Sequence, residues 1–201
     1  MNKIINGLKW FFRSFIWLFV LFLTIDIVTK LVIMYNMELG RENAIVLIPG
    51  FLQIAKSYNA KAAFGMGFAS NEVNRWMYVV IALLGSGLVI FFYVKNFKKF
   101  NMYIKACLML ILTGAVGNLI DRLFYAPSNY CVVDWIDFVG IWDAIFNIAD
   151  SCIVVACFML IIYLIVMEVK DYKAKKASEP EDNTRVLSKV EQEKKEHDNK
   201  E

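Results

Sequence analysis

The chain has 201 residues, is 59% hydrophobic and 20% charged, and carries a net charge of +3. Its apolar residues form long continuous runs instead of recurring at a helix or strand period, which argues against an ordinary soluble domain. An α-helix needs about 20 apolar residues to cross the core of a bilayer. The composition therefore predicts an integral membrane protein.

Long apolar runs predict a bundle of four transmembrane helices, at residues 14–34, 76–94, 103–123 and 144–168. The first run follows several basic residues, as a signal peptide would. It is longer than the usual apolar region of a signal peptide, however, and it contains Asp26 and Lys30. We therefore expect it to be a retained helix, and residues 1–169 to form one membrane domain.

The segment between the first two helices contains IVLIPGFLQIAKSYN, with β-branched and aromatic residues on both sides of Pro49-Gly50. This pattern is typical of two short strands around a turn. We expect a small extracytoplasmic β element at about residues 45–68. The expected fold class is therefore all-α transmembrane, with this β element added to the four-helix membrane bundle.

Lys and Arg residues in short loops mark the cytoplasmic side of a membrane protein. Three basic residues lie in residues 1–13 and four lie in residues 95–105. Both chain ends and the loop of residues 95–105 are therefore predicted to be cytoplasmic. Residues 35–75 and 121–143 then face outward. Residues 170–201 are dense in Lys and Glu, and we expect a disordered cytoplasmic tail.

Ionisable side chains within a membrane span are costly, so a partner and a function are the default hypothesis for each. Asp26 and Lys30 lie four residues apart and share one face of the first helix. They either hold helices together as an ion pair or take a direct part in a site. The pattern Asn-x-x-Asp also occurs twice near the outer ends of helices, in GNLIDR and in FNIADS.

The connection YCVVDWIDFVGIWD adds Asp134 and Asp137 within an aromatic loop that we expect on the bilayer surface, and Asp143, which we expect to cap the last helix. Two aspartates that share a site cannot both ionise easily, so one keeps a proton while the other acts as a base toward water. A proton- or ion-coupled transporter would use the same residue types. A scaffold protein would use them only to fasten helices.

Five motifs, in this order along the chain, resemble those of lipoprotein signal peptidase (signal peptidase II), a family of bacterial membrane aspartic peptidases. The matching stretches cover about residues 15–167 and are DIVTK for D-x-x-[ST]-K, NAKAAFG for N-x-G-A-A-F, GNLIDR for G-N-x-x-D-R, VVDW for V-V-D-F and FNIADS for F-N-x-A-D-S. Each motif alone is weak, but the ordered set is specific. Lys61 replaces a family glycine and Trp135 replaces a phenylalanine.

The resemblance implies that Asp134 and Asp150 form a catalytic pair. Other polar residues of the motifs would then support the site or contact the substrate: Asn59, Asn118, Asp121, Arg122, Asn147, Asp26 and Lys30. Asp137 has no such family role, and we expect it to be a solvated loop residue. We expect neither a metal nor another cofactor, because the only histidine, His197, lies in the tail and the cysteines lack metal-ligand spacing.

The substrate that the resemblance implies is a prolipoprotein whose cysteine already carries a diacylglyceryl group. Cleavage just before this cysteine would release the signal peptide. The expected partners are these prolipoproteins and membrane lipid, and cyclic peptide antibiotics of the globomycin type are expected inhibitors. We expect a monomer in the bacterial inner membrane, with its site near the outer face and no nucleic-acid partner.

Overall fold

The computed structural model describes residues 2–60 and 70–178. These residues form five α-helices and a sheet of four strands. The helices are α1 (Asn2–Ser14), α2 (Ile16–Asn36), α3 (Asn71–Lys95), α4 (Met102–Phe124) and α5 (Ile148–Ser178). The strands are β1 (Ile45–Ile48), β2 (Leu52–Asn59), β3 (Val132–Phe138) and β4 (Ile145–Phe146).

Four of these helices are long and apolar enough to cross a membrane, namely α2, α3, α4 and residues Ile148–Lys176 of α5. The predicted number of spans is therefore confirmed, although their ends differ from the prediction. The last helix begins at Ile148 rather than at residue 144, and it continues to Ser178 through residues assigned to the tail. Residues 179–201, where disorder was predicted, lie outside the described residues.

The chain divides into two compact units at Leu160. The first unit contains α1 to α4, the sheet and the start of α5. The second begins at Ile161 and, within the described residues, consists of the rest of α5. Its side chains at Ile161, Leu164 and Ile165 are exposed, as expected for a helix that faces lipid.

α4 is the central helix of the first unit. Its most apolar window is 56% buried, whereas the windows of the other three spans are 11–17% buried. Two glycines permit this packing, since small residues let helix backbones approach closely in membranes. A Cβ atom on Gly117 would lie 2.6 Å from Asp26 Oδ2 and 2.9 Å from Ala149 Cβ, and one on Gly114 would overlap Ile153. α2 and α5 therefore meet α4 at these positions.

Residues 2–14 were not predicted to be helical, but they form α1. Phe15 separates α1 from α2 with a left-handed backbone conformation, φ 58°. This conformation cannot continue a right-handed helix. The Phe15 side chain packs against a buried cluster that includes Tyr93 and Met109. α1 is thus attached to the bundle where α2 begins.

The sheet has the order β1-β2-β3-β4, and every neighbouring pair is antiparallel. β1 and β2 form the predicted hairpin, whose turn places Gly50 at φ 70°. The interpretation of residues 130–143 as a loop is wrong for Val132–Phe138, which is a strand paired with β2. Residues 61–68 of the predicted β element, including Lys61, lie outside the described residues.

A β-bulge in β2 determines which residues face the candidate site. Ile54 pairs with Ile136, but Ser57 pairs with Asp134, so β2 has one residue more than β3 over this interval. A change of one residue moves the following side chains to the other face of a sheet. Asn59 consequently lies on the same face as Asp134, to which it donates a hydrogen bond.

Lys56 fastens the sheet to the end of α2. Its Nζ donates hydrogen bonds to the backbone oxygens of Met34, at 2.8 Å, and Met37, at 2.6 Å. The last carbonyl groups of a helix have no partner within it, and a Lys side chain can satisfy them. Ile33, Met34 and the fully buried Val133 form an apolar cluster at the same junction. This junction sets the position of β3 relative to the helices.

Candidate active site

Asp134 projects from β3 and is 2% exposed. Its Oδ1 accepts a hydrogen bond of 2.7 Å from Asn147 Nδ2, and its Oδ2 accepts one of 3.0 Å from Asn59 Nδ2. Both carboxyl oxygens are therefore oriented by neutral amide groups. Amides hold a carboxyl group in place without adding a charge that would fix it in its ionised form.

Asp150 lies in the first turn of α5, where it forms a reciprocal cap with Asn147. Asn147 Oδ1 accepts a hydrogen bond of 2.9 Å from the Asp150 backbone N–H, and Asp150 Oδ2 accepts one of 3.2 Å from the Asn147 backbone N–H. This is the geometry of a capping box. The cap residue is thus Asn147, and the prediction that Asp143 caps this helix is wrong.

Two asparagines connect the two candidate catalytic carboxyl groups. Asn118 Nδ2 donates to Asp150 Oδ1 at 2.8 Å, and Asn118 Oδ1 accepts from Asn147 Nδ2 at 3.0 Å. Because Asn147 Nδ2 also donates to Asp134, a continuous chain of hydrogen bonds runs from Asp150 to Asp134. The structure therefore brings together Asp134, Asp150 and the three asparagines of the motifs.

The protonation of Asp134 is shifted toward the neutral form. Burial, followed by the negative charge of Asp150, raises the pKa of Asp134 to about 7, although the amides of Asn59 and Asn147 oppose this change. A carboxylate in a poorly hydrated site beside a second carboxylate behaves in this way. The pair can hold one proton near neutral pH, which is the state that acid–base catalysis by two aspartates requires.

Lys30 is the centre of a buried charge cluster beneath these carboxyl groups. Its Nζ lies 2.8 Å from Asp26 Oδ2 and 2.9 Å from Asp121 Oδ2, and all three residues are at most 1% exposed. It also donates to Asn118 Oδ1 at 3.1 Å. An ammonium group can only donate, so the Asn118 oxygen must face Lys30 and its amide nitrogen is left to face Asp150.

Asp26 and Asp121 each hold the backbone of a residue next to a candidate catalytic aspartate. Asp26 Oδ1 accepts a hydrogen bond of 2.8 Å from the N–H of Ala149, which precedes Asp150. Asp121 Oδ2 accepts one of 3.1 Å from the N–H of Val133, which precedes Asp134. The ion cluster therefore positions both chain segments that carry the pair.

Arg122 follows Asp121 and lies at the edge of the same site, 8% exposed. Its Nη1 donates to the backbone oxygen of Asn118 at 3.1 Å, and its guanidinium lies 5.2 Å from the centre of the Tyr78 ring. Arg75 Nε in turn donates to the Arg122 backbone oxygen at 2.7 Å. These contacts hold a cation beside the cavity that contains the pair.

Asp137 is not the solvated loop residue that we expected. It is fully buried, and its carboxylate forms two hydrogen bonds with Arg41, of 2.8 and 3.0 Å, and one of 2.7 Å with Gln53. Burial favours the neutral acid, but the hydrogen bonds from Arg41 and Gln53 prevail and hold the pKa of Asp137 below its usual range. Asp137 therefore stabilises the sheet through its contacts with Arg41 and Gln53. Its side chain lies on the face opposite to Asp134.

No sequence pattern predicts the residues that build this second cluster. Arg41 and Asp137 are separated by 96 positions, and no local pattern pairs them. Arg41 Nη2 also donates to the backbone oxygen of Asp143, at 2.8 Å, so it connects the segment before β1 with the segment before β4. Lys56 was equally unexpected, although a lysine among apolar strand residues is an unusual feature that invites a search for a partner.

A cavity of about 1310 Å³ opens over the two candidate catalytic residues. Its polar lining includes Asp134, Asp150, Asn59, Asn118 and Arg122. Its apolar lining comes from α5 and from the segment before it, with Ile153, Val154, Ile141, Trp142 and Phe146. The cavity thus offers carboxyl groups beside a largely apolar wall. Among the residues that the structure describes, no three His, Cys, Asp or Glu side chains are grouped as metal ligands.

Comparison with known proteins supports the resemblance noted in the sequence. The sequence model of the family described as signal peptidase (SPase) II matches residues 18–166. A lipoprotein signal peptidase of Fusobacterium nucleatum is 34% identical over 148 residues, which are 74% of this chain and 84% of that protein. A lipoprotein signal peptidase of Clostridioides difficile is 33% identical over 156 residues, which are 78% of this chain and 97% of that protein.

Solved structures show the same similarity in three dimensions. A bacterial membrane enzyme determined by the in meso method at 2.3 Å resolution has a TM-score of 0.65 and 30% identity, and the match covers 82% of this chain and 93% of that one. A second, determined at 1.9 Å, has a TM-score of 0.62 and 29% identity, with 74% and 90% covered. The family model, which matches residues 18–166, includes Asp134 and Asp150. The chain therefore belongs to the signal peptidase II family and is a multi-pass membrane protein.

Proposed function

We propose that this protein is an aspartic endopeptidase that removes signal peptides from diacylglyceryl-modified prolipoproteins by cleaving before the lipidated cysteine. The observation that carries the proposal is the pair Asp134 and Asp150, joined through Asn118 and Asn147 within one cavity. The names of the relatives supply the substrate class, since they are lipoprotein signal peptidases. Family membership favours this activity over the transporter and the scaffold.

The chemistry follows from one proton shared by two carboxyl groups. With a pKa of about 7, Asp134 can keep this proton near neutral pH, while Asp150 accepts a proton from a water that attacks the scissile carbonyl. Asp134 then donates its proton as the peptide bond breaks and the leaving amine forms. Asn59, Asn118 and Asn147 keep the carboxyl oxygens oriented through these transfers, and the pair titrates as a unit.

The cavity suits a substrate that is both a peptide and a lipid. Ile153 and Val154 line it one turn after Asp150, in the direction in which α5 crosses the membrane. A signal helix and acyl chains can lie against such an apolar wall. The scissile bond would then lie at the carboxyl groups, near the sheet. A cyclic peptide of the globomycin type would compete for the same space.

We further propose that this site faces the outer side of the bacterial inner membrane. Asp134 and Asp150 lie where α4 ends and α5 begins, whereas the Lys-rich connection of residues 96–101 joins the opposite ends of α3 and α4. Cytoplasmic loops carry the excess of Lys and Arg, and this rule supports a cytoplasmic connection and an outward-facing site. A prolipoprotein emerging from the membrane would present its modified cysteine on that side.

The proposal is tested by assaying the purified protein with a diacylglyceryl-modified prolipoprotein. Asp134→Asn and Asp150→Asn each remove a titratable group while keeping the shape of the side chain. We expect turnover to fall by about 10³-fold or more in each variant. Removal of a single catalytic triad residue in another protease lowers kcat by at least this factor. Both variants should still bind the substrate, because the asparagine amides preserve the size of the site.

The matched control is Glu38→Gln, which neutralises an exposed carboxylate on the segment that connects α2 to the sheet. It should retain full activity. Asp137→Asn is unsuitable as a control because Asp137 is buried against Arg41 and Gln53. Full activity of either Asp134→Asn or Asp150→Asn, with Glu38→Gln also active, would falsify the assignment of the pair.

A further inference from the structure

The N-terminal helix α1 lies before residue 18, where the match to the family begins. With 13 residues it is too short to cross a bilayer core, which takes about 20. None of the α1 side chains that the structure describes, from Ile4 to Ser14, lines the cavity that contains Asp134 and Asp150. α1 therefore needs an explanation that the proposed peptidase activity does not provide.

α1 carries an apolar stripe that the described part of the chain leaves uncovered. Ile4, Leu8 and Phe12 recur at every fourth position and are 77%, 58% and 56% exposed. Residues at this spacing lie on one side of a helix. Lys9 and Arg13 are also four residues apart and exposed, and they flank the apolar stripe. A short helix with one apolar and one basic face is typical of a helix that lies in a membrane interface.

A third side of α1 is attached to the bundle, which fixes the direction of the stripe. The Trp10 ring packs against Phe97, with 6.1 Å between ring centroids, and Tyr93 Oη donates to the Ser14 backbone oxygen. Phe97 is itself held by Tyr93, at 5.4 Å between ring centroids, and by Lys105 Nζ, 3.8 Å from the ring. Because Trp10 faces the bundle, the apolar stripe lies away from this contact.

We propose that α1 is an interfacial helix that binds the surface of an anionic bilayer. The Ile4, Leu8 and Phe12 side chains enter the boundary between headgroups and acyl chains. Lys9 and Arg13 bind the phosphates of anionic lipids, and the exposed Lys98 and Lys99 in the adjacent connection add to the positive charge. Cationic side chains near a membrane surface are attracted to anionic lipids in this way.

Two observations favour lipid over a second copy of the chain as the occupant of the stripe. α1 ends at Ser14, and the membrane-spanning helix α2 begins at Ile16. The last residue of the stripe, Phe12, is therefore next to the point where α2 enters the bilayer. In a symmetric dimer built on the stripe, the Lys9 and Arg13 side chains of the two copies would approach each other. Like charges at an interface oppose such an association, whereas an anionic lipid surface balances them.

The apolar contact is tested by photocross-linking the full-length protein in vesicles of phosphatidylcholine and phosphatidylglycerol. A benzophenone amino acid replaces either Leu8, on the stripe, or Asn6, on the polar side of α1. We expect the probe at residue 8 to form lipid adducts, detected by mass spectrometry, several times more often than the probe at residue 6. A cross-linked dimer from residue 8, or equal lipid adducts from both positions, would overturn the proposal.

The charge contribution is tested with the double variant Lys9→Gln/Arg13→Gln. Replacing pure phosphatidylcholine with a mixture that contains phosphatidylglycerol should raise the Tm of the wild-type protein, because a ligand that binds the folded state stabilises it. The double variant should lose most of this rise. Each protein is compared with itself in two lipids, so a general loss of stability does not imitate the result.

The matched control is Lys170→Gln/Lys173→Gln, which removes the same charge from exposed positions on α5. It should keep most of the rise in Tm. An equal loss in this control would show that total charge, and not α1, senses the lipid, and would contradict the proposal. Peptidase activity is not the measured quantity, so these results are independent of whether Asp134 and Asp150 are the catalytic pair.

Discussion

The aspartates of this protein differ in the groups that hold their oxygens. Asp26 and Asp121 share Lys30, and Asp137 is paired with Arg41, so each of these three carboxyl groups has a cation within salt-bridge distance. Asp134, by contrast, accepts its hydrogen bonds from asparagine amides. Only a carboxyl group that is not fixed as an anion can exchange a proton during turnover.

The raised pKa of Asp134 predicts a particular dependence of stability on pH. Its value of about 7 lies above the ordinary value of 3.8, so the folded state favours the protonated form. The stabilisation from this proton is complete below the ordinary pKa and is lost as pH rises through about 7. Asp134→Asn carries no proton to lose. As the pH rises from 3.8 to about 7, the free energy of unfolding of this variant should therefore increase relative to that of the wild type. The increase should be at most about 1.4 kcal/mol per pH unit.

This prediction is checked by thermal unfolding of both proteins in detergent from pH 4 to pH 8. The pH is changed in steps of about one unit, because the expected change in stability is at most about 1.4 kcal/mol per unit. Glu38→Gln, at an exposed position, provides the control and should follow the wild type across the range. A constant difference between Asp134→Asn and the wild type would mean that Asp134 is ionised throughout, and would count against its role as the acid.

Sequence reasoning reached Asp134 only through the resemblance, and physical reasons explain this. Carboxylate spacing alone offered several aspartates between Asp121 and Asp150 and could not separate those with cationic partners from those without. The partner of Asp137 is Arg41, and the partner of Asp121 is Lys30, both far away along the chain. Such pairs form only after the sheet and the bundle have assembled.

At the scale of elements, the long helices were predictable and β3 was not. Length and hydropathy identify a membrane span directly. β3, in contrast, is buried on parts of both faces, with Val133 against α2 and Asp134 in the site. Its sequence therefore lacks the alternation of apolar and polar residues that marks a strand. α1 was not predicted because its 13 residues are too few to span a membrane and basic residues interrupt its apolar positions.

The contact of α4 with α2 and α5 predicts a sharp difference between two glycines. In Gly117→Ala the new methyl group would lie 2.6 Å from Asp26 Oδ2 and 2.9 Å from Ala149 Cβ. Overpacking of this kind typically costs about 1–3 kcal/mol. Because Asp26 holds the N–H of Ala149, the start of α5 should also shift, and turnover should fall together with the Tm.

Gly87→Ala on α3 is the matched control, since a Cβ atom there would have, apart from the neighbouring backbone of its own helix, no described atom within 4 Å. Alanine is favoured over glycine in a helix by about 1 kcal/mol, so this variant should be as stable as the wild type or slightly more stable. Both variants are compared by Tm in detergent and by turnover of the prolipoprotein. Equal behaviour of the two would contradict the close approach of α4 to its neighbours.

At the scale of the whole molecule, the proposed pair is assembled from segments that are far apart in sequence. Asn59 comes from β2, Asp134 from β3, Asn118 from α4, and Asp150 from α5. Lys30 on α2 connects these segments, because its Nζ contacts Asp26, Asp121 and Asn118. One end of the bundle thus holds the groups named above, while α1 and the connection between α3 and α4 lie at the other end.

This arrangement predicts which surfaces a reagent can reach from each side of the membrane. Val46 is exposed on β1, at the end that holds the site, and Lys99 is exposed in the connection between α3 and α4. In right-side-out vesicles, Val46→Cys should react with a membrane-impermeant maleimide, and Lys99→Cys should react only after the vesicles are opened. The parent protein, labelled in parallel, corrects for its own cysteines, of which Cys131 is partly exposed. The reverse pattern would place Asp134 and Asp150 on the cytoplasmic side, where a prolipoprotein modified at the outer surface could not reach them.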